Sequence, residues 1–330
     1  MRCILKNIKS RKVNLCYCNT IYITFNFRGG REFDDFMMIF EQRLKPFFSV
    51  LQDADIVADY SISLINEKSN FNLEHADRVD FFIAKQDNYI SDFSSGYMLK
   101  KAQGRVIFNP INGTVFNIES NNIEIHYLTY DTLFRDLQRV IKQLIVTNVE
   151  NKGGFVLHAS SFNYKGKAIC FVGSKGMGKT TCLLEALNIE GATFISNDRL
   201  PIISRNNVFY ALSWFEELRI IKDPCEKDKE IISPSSLFGY EKIQTLPAEI
   251  SKIIFPNSTP SSLENLQSII SEQCLSPNDE QRPKWLGLAN GSENTSFANF
   301  SSRVISVEMK WQYSQLNNLK YRILELISDV

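Results

Sequence analysis

The stretch of sequence that decides the fold reads Gly173-Ser174-Lys175-Gly176-Met177-Gly178-Lys179-Thr180. It matches the pattern G-x-x-x-x-G-K-[ST] at every fixed position. The apolar run 168–172 precedes it and a helical pattern near 178–189 follows it, which is the context that this motif requires. Glycines allow successive backbone N–H groups to point inward, and the start of the helix adds a partial positive charge. The stretch therefore predicts an anion-binding loop, and we call residues 173–181 the phosphate loop.

Three side chains of the phosphate loop have expected roles. Lys179 is expected to bridge the β and γ phosphates of a nucleoside triphosphate, and Thr180 to offer its hydroxyl to Mg²⁺. Thr181 is a candidate contact for the α phosphate. The sequence contains neither an N-K-x-D guanine motif nor an LSGGQ-like signature after the loop, so it does not indicate a GTPase or a transporter ATPase.

Two residues that flank the loop are candidates for the same site. His158 lies in the run Leu157-His158-Ala159-Ser160-Ser161 before the loop, and Asp198 lies just past the end of the predicted strand 193–196 after it. The end of a strand beside the loop is where a metal-binding acid is expected. Two alternatives stay open, since His158 could be a core histidine bonded to a backbone carbonyl and Asp198 could be a turn residue.

The composition is that of an ordinary folded protein. The 330 residues are 44% hydrophobic and 22% charged, which excludes a disordered or fibrous chain. The 37 basic residues balance 37 acidic ones, so no overall field favours nucleic acid or an anionic membrane as a partner. The seven cysteines lack paired spacing and are expected to be reduced thiols. No apolar run reaches the length of a membrane span, and we expect a cytoplasmic, unanchored chain.

The length predicts two domains, 1–150 and 151–330. The first is expected to be a smaller, strand-rich α+β domain with a structural or a substrate- or partner-binding role, and the second to carry the phosphate loop. The predicted helices are 33–44, 130–148, 178–189, 261–273 and 313–328. The predicted strands are 20–27, 59–65, 79–84, 96–100, 105–108, 113–118, 123–128, 155–160, 168–172, 193–196, 201–204, 207–212, 218–221, 252–255 and 304–309.

A loop-rich stretch from Pro256 to Pro283 could form a substrate lid. Within and just after it, Arg282-Pro283-Lys284-Trp285 could stack a base or fill the core.

The order His-Ala-Ser, hairpin, phosphate loop, helix and Gly-x-x-x-Ile-x-x-Asp resembles the carboxy-terminal domain of HPr kinase/phosphorylase. More distantly it is similar to ATP-dependent phosphoenolpyruvate carboxykinase. Within this group it most resembles the HPr-kinase-like kinases of peptide natural-product clusters, including lasso peptide kinases. The resemblance covers residues 150–225 well and the rest of the carboxy-terminal half loosely.

This resemblance implies an α/β fold, namely an HPr-kinase/carboxykinase-like P-loop domain with a mixed central sheet. It also implies ATP and Mg²⁺ as cofactors and transfer of the γ-phosphoryl group to a hydroxyl of a peptide side chain or a small metabolite. Asp198 would hold the metal with Thr180, and His158 would contact metal or phosphate. Arg199 and Arg219 are candidate cations, and Glu217-Leu218-Arg219 resembles the Glu-x-Arg signature of HPr kinases without its glycine. A solvated, salt-bridged face is the alternative for Glu217 and Arg219. A homo-oligomer is possible.

The sequence departs from the family at Asn197-Asp198, where the family has two adjacent acids. Asparagine cannot accept a proton, so three alternatives remain. Asp198 serves both as metal ligand and as base, or an acid such as Glu216 or Glu217 is the base, or the chain binds ATP without efficient transfer. The last alternative describes a pseudokinase or partner-binding module, and a P-loop ATPase is a further one. The phosphorylase activity of the HPr enzymes is not expected here.

Overall fold

The computed structural model describes residues 10–28, 31–51, 56–84, 91–220, 230–257, 263–274 and 295–330. Among them, the residues up to Thr147 form one compact unit and those from Asn148 onward form a second. The roles assigned above to residues 1–150 and 151–330 stay predictions. None of the described helices is both long enough and apolar enough to cross a membrane.

The first unit is built on one nine-stranded sheet in the order β3-β1-β2-β4-β9-β8-β7-β6-β5. Its strands are β1 (Ser10–Tyr17), β2 (Ile21–Arg28), β3 (Phe48–Leu51), β4 (Tyr60–Ile65), β5 (Asp77–Ala84), β6 (Ser91–Lys101), β7 (Gly104–Asn109), β8 (Thr114–Glu119) and β9 (Asn122–His126). The strands β2, β4 and β9 pair in parallel, whereas β7, β8 and β9 form the antiparallel meander that the turn signals predicted. The strands β1 and β3 were not predicted.

Two helices of the first unit carry apolar side chains into its core. They are α1 (Arg31–Leu44) and α2 (Tyr130–Asn151), of which the last four residues, 148–151, belong to the second unit. The predicted stripe on α2 is confirmed, because its apolar side chains at 133, 137, 140, 141, 144 and 145 are fully buried. Phe40 of α1 packs edge-on against both Phe25 of β2 and Phe134 of α2, so the helices and the sheet share one aromatic cluster.

The second unit is built on an eight-stranded sheet in the order β10-β14-β15-β18-β12-β11-β13, with β19 beside β18. Its strands are β10 (Phe155–Leu157), β11 (Ala159–Tyr164), β12 (Lys167–Val172), β13 (Thr193–Ser196), β14 (Leu200–Arg205), β15 (Val208–Ala211), β18 (Ala248–Pro256) and β19 (Ile305–Met309), and β16 (Leu218–Ile220) pairs separately with β17 (Glu230–Ile232). Its helices are α3 (Lys179–Ala186), α4 (Pro234–Phe238), α5 (Leu263–Glu272), α6 (Thr295–Arg303) and α7 (Leu316–Leu326). Since β18 runs parallel to β12 and β19 while its pairing with β15 is antiparallel, the sheet is mixed.

The prediction of an α/β chain with a mixed sheet is therefore confirmed. The finer prediction of an HPr-kinase/carboxykinase-like arrangement stays a prediction. The predicted lid is described only in part, as Pro256 at the end of β18, Asn257, α5 and the two residues after α5. The remainder, including Arg282-Pro283-Lys284-Trp285, lies outside the described residues.

One predicted strand was wrong in a way that bears on the site. The run 155–160 is not one strand, because it changes neighbours at His158. Its first part, β10, pairs with β14, whereas β11 pairs with β12 and β13. The backbone N–H of His158 donates instead to the carbonyl of Gln273 at 2.7 Å. A run of residues that favour strands does not show where the pairing partner changes, so the sequence could not reveal this break.

Candidate functional site

The phosphate loop leaves the buried strand β12 at Val172 and enters helix α3 at Lys179. Gly176 and Gly178 have φ values of 90° and 87°, in the left-handed region that favours glycine. Gly178 is the N-cap of α3 and makes no side-chain capping hydrogen bond. The first N–H groups of α3 are therefore not taken up by a capping side chain, which leaves them to an anion.

The two glycines differ in their surroundings. A Cβ at Gly176 would meet no atom within 4 Å, so the loop faces open space there. A Cβ at Gly178 would overlap the indole of Trp311, which follows β19. The start of α3 is thus packed against an aromatic ring from the far end of the chain, whereas the tip of the loop is exposed.

Lys179 folds back over the loop that precedes it. Its Nζ donates to the carbonyl of Gly173 at 2.7 Å and to that of Ser174 at 3.3 Å. The residue is only 7% exposed. Burial lowers the pKa of Lys179 from its ordinary value, and the negative charge of Asp198 acts in the opposite direction. The Lys179 ammonium can exchange these carbonyl oxygens for the oxygens of an anion that enters the loop. A charged acceptor forms the stronger hydrogen bond with an ammonium group.

Asn197 joins three elements beneath the loop. Its Oδ1 accepts hydrogen bonds from Ser160 Oγ of β11 at 2.8 Å and from Thr180 Oγ1 of α3 at 3.1 Å. Asn197 itself follows β13 and is 5% exposed. The side chain that faces the Thr180 hydroxyl is therefore the amide of Asn197.

Asp198 projects from a strained turn toward His158. The N–H of Arg199 donates to the carbonyl of Asn197 at 2.9 Å, and Asp198 between them has a φ of 68°. A three-residue turn with positive φ is rare and strained, and such residues concentrate at functional sites. The Asp198 side chain is 47% exposed, and its Oδ1 lies 4.0 Å from Nε2 of His158. The turn thus sends Asn197 inward and presents the carboxylate of Asp198 to solvent beside a histidine.

The predicted cation Arg199 pairs with an acid instead of the loop. Its Nε lies 3.8 Å from Oε2 of Glu216, and the same oxygen accepts a hydrogen bond from Nε1 of the fully buried Trp214 at 2.9 Å. Glu216, one of the acids considered as a base, is therefore tied to a tryptophan and an arginine. Glu217 and Arg219 are exposed. Within the part of the chain that the structure describes, no hydrogen bond or ion pair connects either of them to the loop.

The structure thus brings part of the predicted set together. Lys179, Thr180, Asn197, Asp198 and His158 converge at the loop, whereas Glu217 and Arg219 do not join them. Sequence reasoning missed the contribution of Ser160, although it lies within the run quoted for His158. It also missed Trp311, for which no signal existed, because residues far apart in the chain reveal no contact through local pattern.

The side chains at this point fit a hard cation bound together with phosphate. Thr180 offers a hydroxyl oxygen and Asp198 a carboxylate, and oxygen donors of this kind suit Mg²⁺. Neither at this site nor elsewhere in the described residues do three or more His, Cys, Asp or Glu side chains form a group that could hold a metal ion.

Comparisons with known proteins add little to this geometry. No family model matches the sequence. No curated protein matches it either. Among solved structures, the chain is similar to the Hpr(Ser) kinase/phosphatase from Coxiella burnetii, with 19% sequence identity, a TM-score of 0.27, and coverage of 32% of this chain and 69% of that one. A likeness at this level establishes neither a family nor an activity.

Proposed function

We propose that the phosphate loop binds the triphosphate of ATP together with Mg²⁺, and that the second unit transfers the γ-phosphoryl group to a hydroxyl. The observation that carries this proposal is that Lys179, Thr180 and Asp198 lie together at the loop, where the first N–H groups of α3 meet no capping side chain. Phosphoryl transfer depends mainly on positioning and on offsetting negative charge, and this set of residues supplies both.

Each residue has a separate task in the proposed reaction. The ammonium of Lys179 exchanges its carbonyl partners for phosphate oxygens, and the Thr180 hydroxyl and Asp198 carboxylate hold the cation. When bound, Mg²⁺ offsets the charge of the phosphates. Asp198 also accepts the proton of the acceptor hydroxyl, because it is the exposed carboxylate beside the loop and Glu216 is engaged elsewhere. His158, 4.0 Å away, stabilises the charge of that carboxylate when protonated.

We propose the phosphoryl acceptor only by its chemical class, a hydroxyl compound. The sequence resemblance to kinases of peptide natural-product clusters favours a serine-like side chain of a peptide, with a small metabolite as the alternative. The cytoplasmic location and a homo-oligomeric state are likewise proposals.

One observation favours a second candidate function. The amide of Asn197 occupies the position opposite Thr180 and cannot take a proton. A chain that binds ATP without transfer, or that releases phosphate to water, would have the same binding loop. Release of inorganic phosphate without a phosphorylated acceptor would identify the ATPase.

Two variants test the proposal directly. Lys179→Met should weaken ATP binding at least about tenfold, because it removes the charge that the phosphates need. Asp198→Asn should retain binding and lose transfer of labelled phosphate from ATP to serine-containing peptides. Lys167→Met is the control, since Lys167 lies at the start of β12 and pairs with Glu249 at 2.6 Å.

Calorimetry measures binding of ATP and GTP, and labelled ATP measures transfer. No uptake of either nucleotide by the wild-type protein would overturn the proposal. Full transfer by Asp198→Asn would leave a nucleotide site and refute the role of that carboxylate.

A further inference from the structure

The residue opposite Thr180 is an amide, and the hydrogen bonds around it decide what it can do. Two hydroxyls, those of Ser160 and Thr180, both donate to Oδ1 of Asn197. Because the Thr180 hydroxyl gives its hydrogen to Asn197, its lone pairs point elsewhere and can bind a cation. Asn197 is 5% exposed and Ser160 fully buried, so this arrangement is fixed within the fold.

The amide keeps this acceptor role and contributes no charge. A carboxylate in the same place would accept the same two hydrogen bonds and add a negative charge. Ser160, Thr180 and Asn197 are all neutral, so these three hydrogen-bonded side chains add no negative charge to the pocket. The remaining carboxylate, Asp198, is 47% exposed and shares its surroundings with His158 and Lys179. Such a pocket offers little to a strongly hydrated cation that arrives alone, because Mg²⁺ gives up water reluctantly and is usually held by carboxylates together with phosphates.

We propose that Asn197 is a positioning residue that orients the Thr180 hydroxyl and adds no second negative charge beside Asp198, so that Mg²⁺ binds only together with the triphosphate. This inference rests on the proposed function, since it concerns the same loop. One consequence is that ATP binding depends weakly on Mg²⁺, because Lys179 and the N–H groups of the loop provide most of the attraction. A second consequence is that the amide of Asn197 keeps the dependence of ATP binding on Mg²⁺ weak. A single negative charge at position 197 should therefore strengthen that dependence.

The experiment compares the dissociation constant for ATP in EDTA with that in excess Mg²⁺, by calorimetry. Asn197→Asp adds a charge that repels the triphosphate in EDTA and attracts the cation in Mg²⁺. The ratio of the two dissociation constants should therefore rise at least about tenfold over that of the wild type. Asn188→Asp makes the same chemical change at an exposed position beyond the far end of α3 and should leave the ratio unchanged. A purely structural role of Asn197 would change both dissociation constants in the same direction and leave their ratio as it was.

Titration of the wild-type protein with MgCl₂ alone tests the same inference without a variant. Binding should be undetectable below millimolar concentrations of Mg²⁺ in the absence of nucleotide. Submillimolar binding of Mg²⁺ alone to the wild type would overturn the inference even if Asn197→Asp fails to fold. An unchanged ratio in a folded Asn197→Asp protein would overturn it too. If ATP does not bind in either buffer, the proposed function itself falls, and that result differs from an unchanged ratio.

Discussion

At the scale of single residues, Asp198 combines a functional side chain with an unfavourable backbone. For an L-residue, the left-handed backbone conformation is less favourable than the ordinary helical one by roughly 1–2 kcal/mol of conformational free energy. Glycine has no Cβ and does not bear this cost. With φ at 68°, Asp198 carries this cost to present its carboxylate beside His158. The strain follows from the turn that also sends Asn197 inward.

This backbone predicts an inverted order of stability for two variants. Asp198→Gly should be more stable than Asp198→Ala by about 1 kcal/mol in the free energy of unfolding, measured with urea. The same pair at Glu185, inside α3, should show the opposite order, because glycine destabilises a helix relative to alanine by about 1 kcal/mol. Equal stability of the two variants at 198 would mean that the turn carries no strain.

At the scale of elements, the two glycines that precede α3 differ in how much an added side chain would destabilise the fold. Gly176→Ala meets only the cost of a positive φ, whereas Gly178→Ala meets that cost and an overlap with Trp311. We expect Gly176→Ala to lower the free energy of unfolding by about 1 kcal/mol and Gly178→Ala by at least about 2 kcal/mol. Urea denaturation measures both.

A double variant tests whether the overlap with Trp311 causes the extra loss of stability in Gly178→Ala. If the indole of Trp311 causes the extra loss, then adding Trp311→Leu to Gly178→Ala should cost less than Trp311→Leu costs alone. Strict additivity of the two changes would place the cause elsewhere.

The carboxy-terminal end of α7 is attached to β18 by a buried cation. Lys252 is 4% exposed, and its Nζ donates to the carbonyl of Leu326 at 2.6 Å and to Oδ1 of Asp329 at 2.5 Å. The hydrogen bond from Lys252 lowers the pKa of the Asp329 carboxyl below its ordinary value of 3.8. A lowered carboxyl pKa stabilises the fold above that value, and the contribution is lost as the pH falls through the folded-state pKa.

Asp329→Asn should therefore lower the Tm at pH 7, and the difference from the wild type should shrink as the pH falls below 3.8. Glu190→Gln changes an exposed residue just beyond the end of α3. It should leave the Tm unchanged both at pH 7 and below pH 3.8. A Tm difference that stays constant with pH would show that the Asp329 carboxylate does not contribute through its charge.

At the scale of the whole molecule, the phosphate loop belongs to one of two compact units. A ligand that binds the folded state stabilises what it binds, by about 2.7 kcal/mol at a concentration a hundredfold above its dissociation constant. Mg²⁺ and ATP should therefore slow amide hydrogen exchange at residues 173–181 and in β13. Exchange in the meander of β7, β8 and β9 should change little. Equal protection of the meander would show that both units respond to the nucleotide.

Much of the architecture could be predicted because it is encoded locally. The stripe on α2 follows from a helical period and the meander from turn residues at short spacing, and both are confirmed. The strands β1 and β3 escaped prediction, and 155–160 was taken as one strand. Which strands pair in a sheet depends on residues far apart in the chain, which a local pattern does not record.

The sequence by itself determined that a glycine loop starting at Gly173 joins a strand to a helix, because the glycines, the lysine and the threonine of residues 173–180 dictate that conformation locally. Only the tertiary structure decided that Asn197 faces Thr180 while Asp198 turns toward His158, and that Trp311 covers Gly178. The directions of two adjacent side chains are set by a positive φ between them and by strands that pair across the sheet. Neither the φ nor the pairing can be read from the order of the residues.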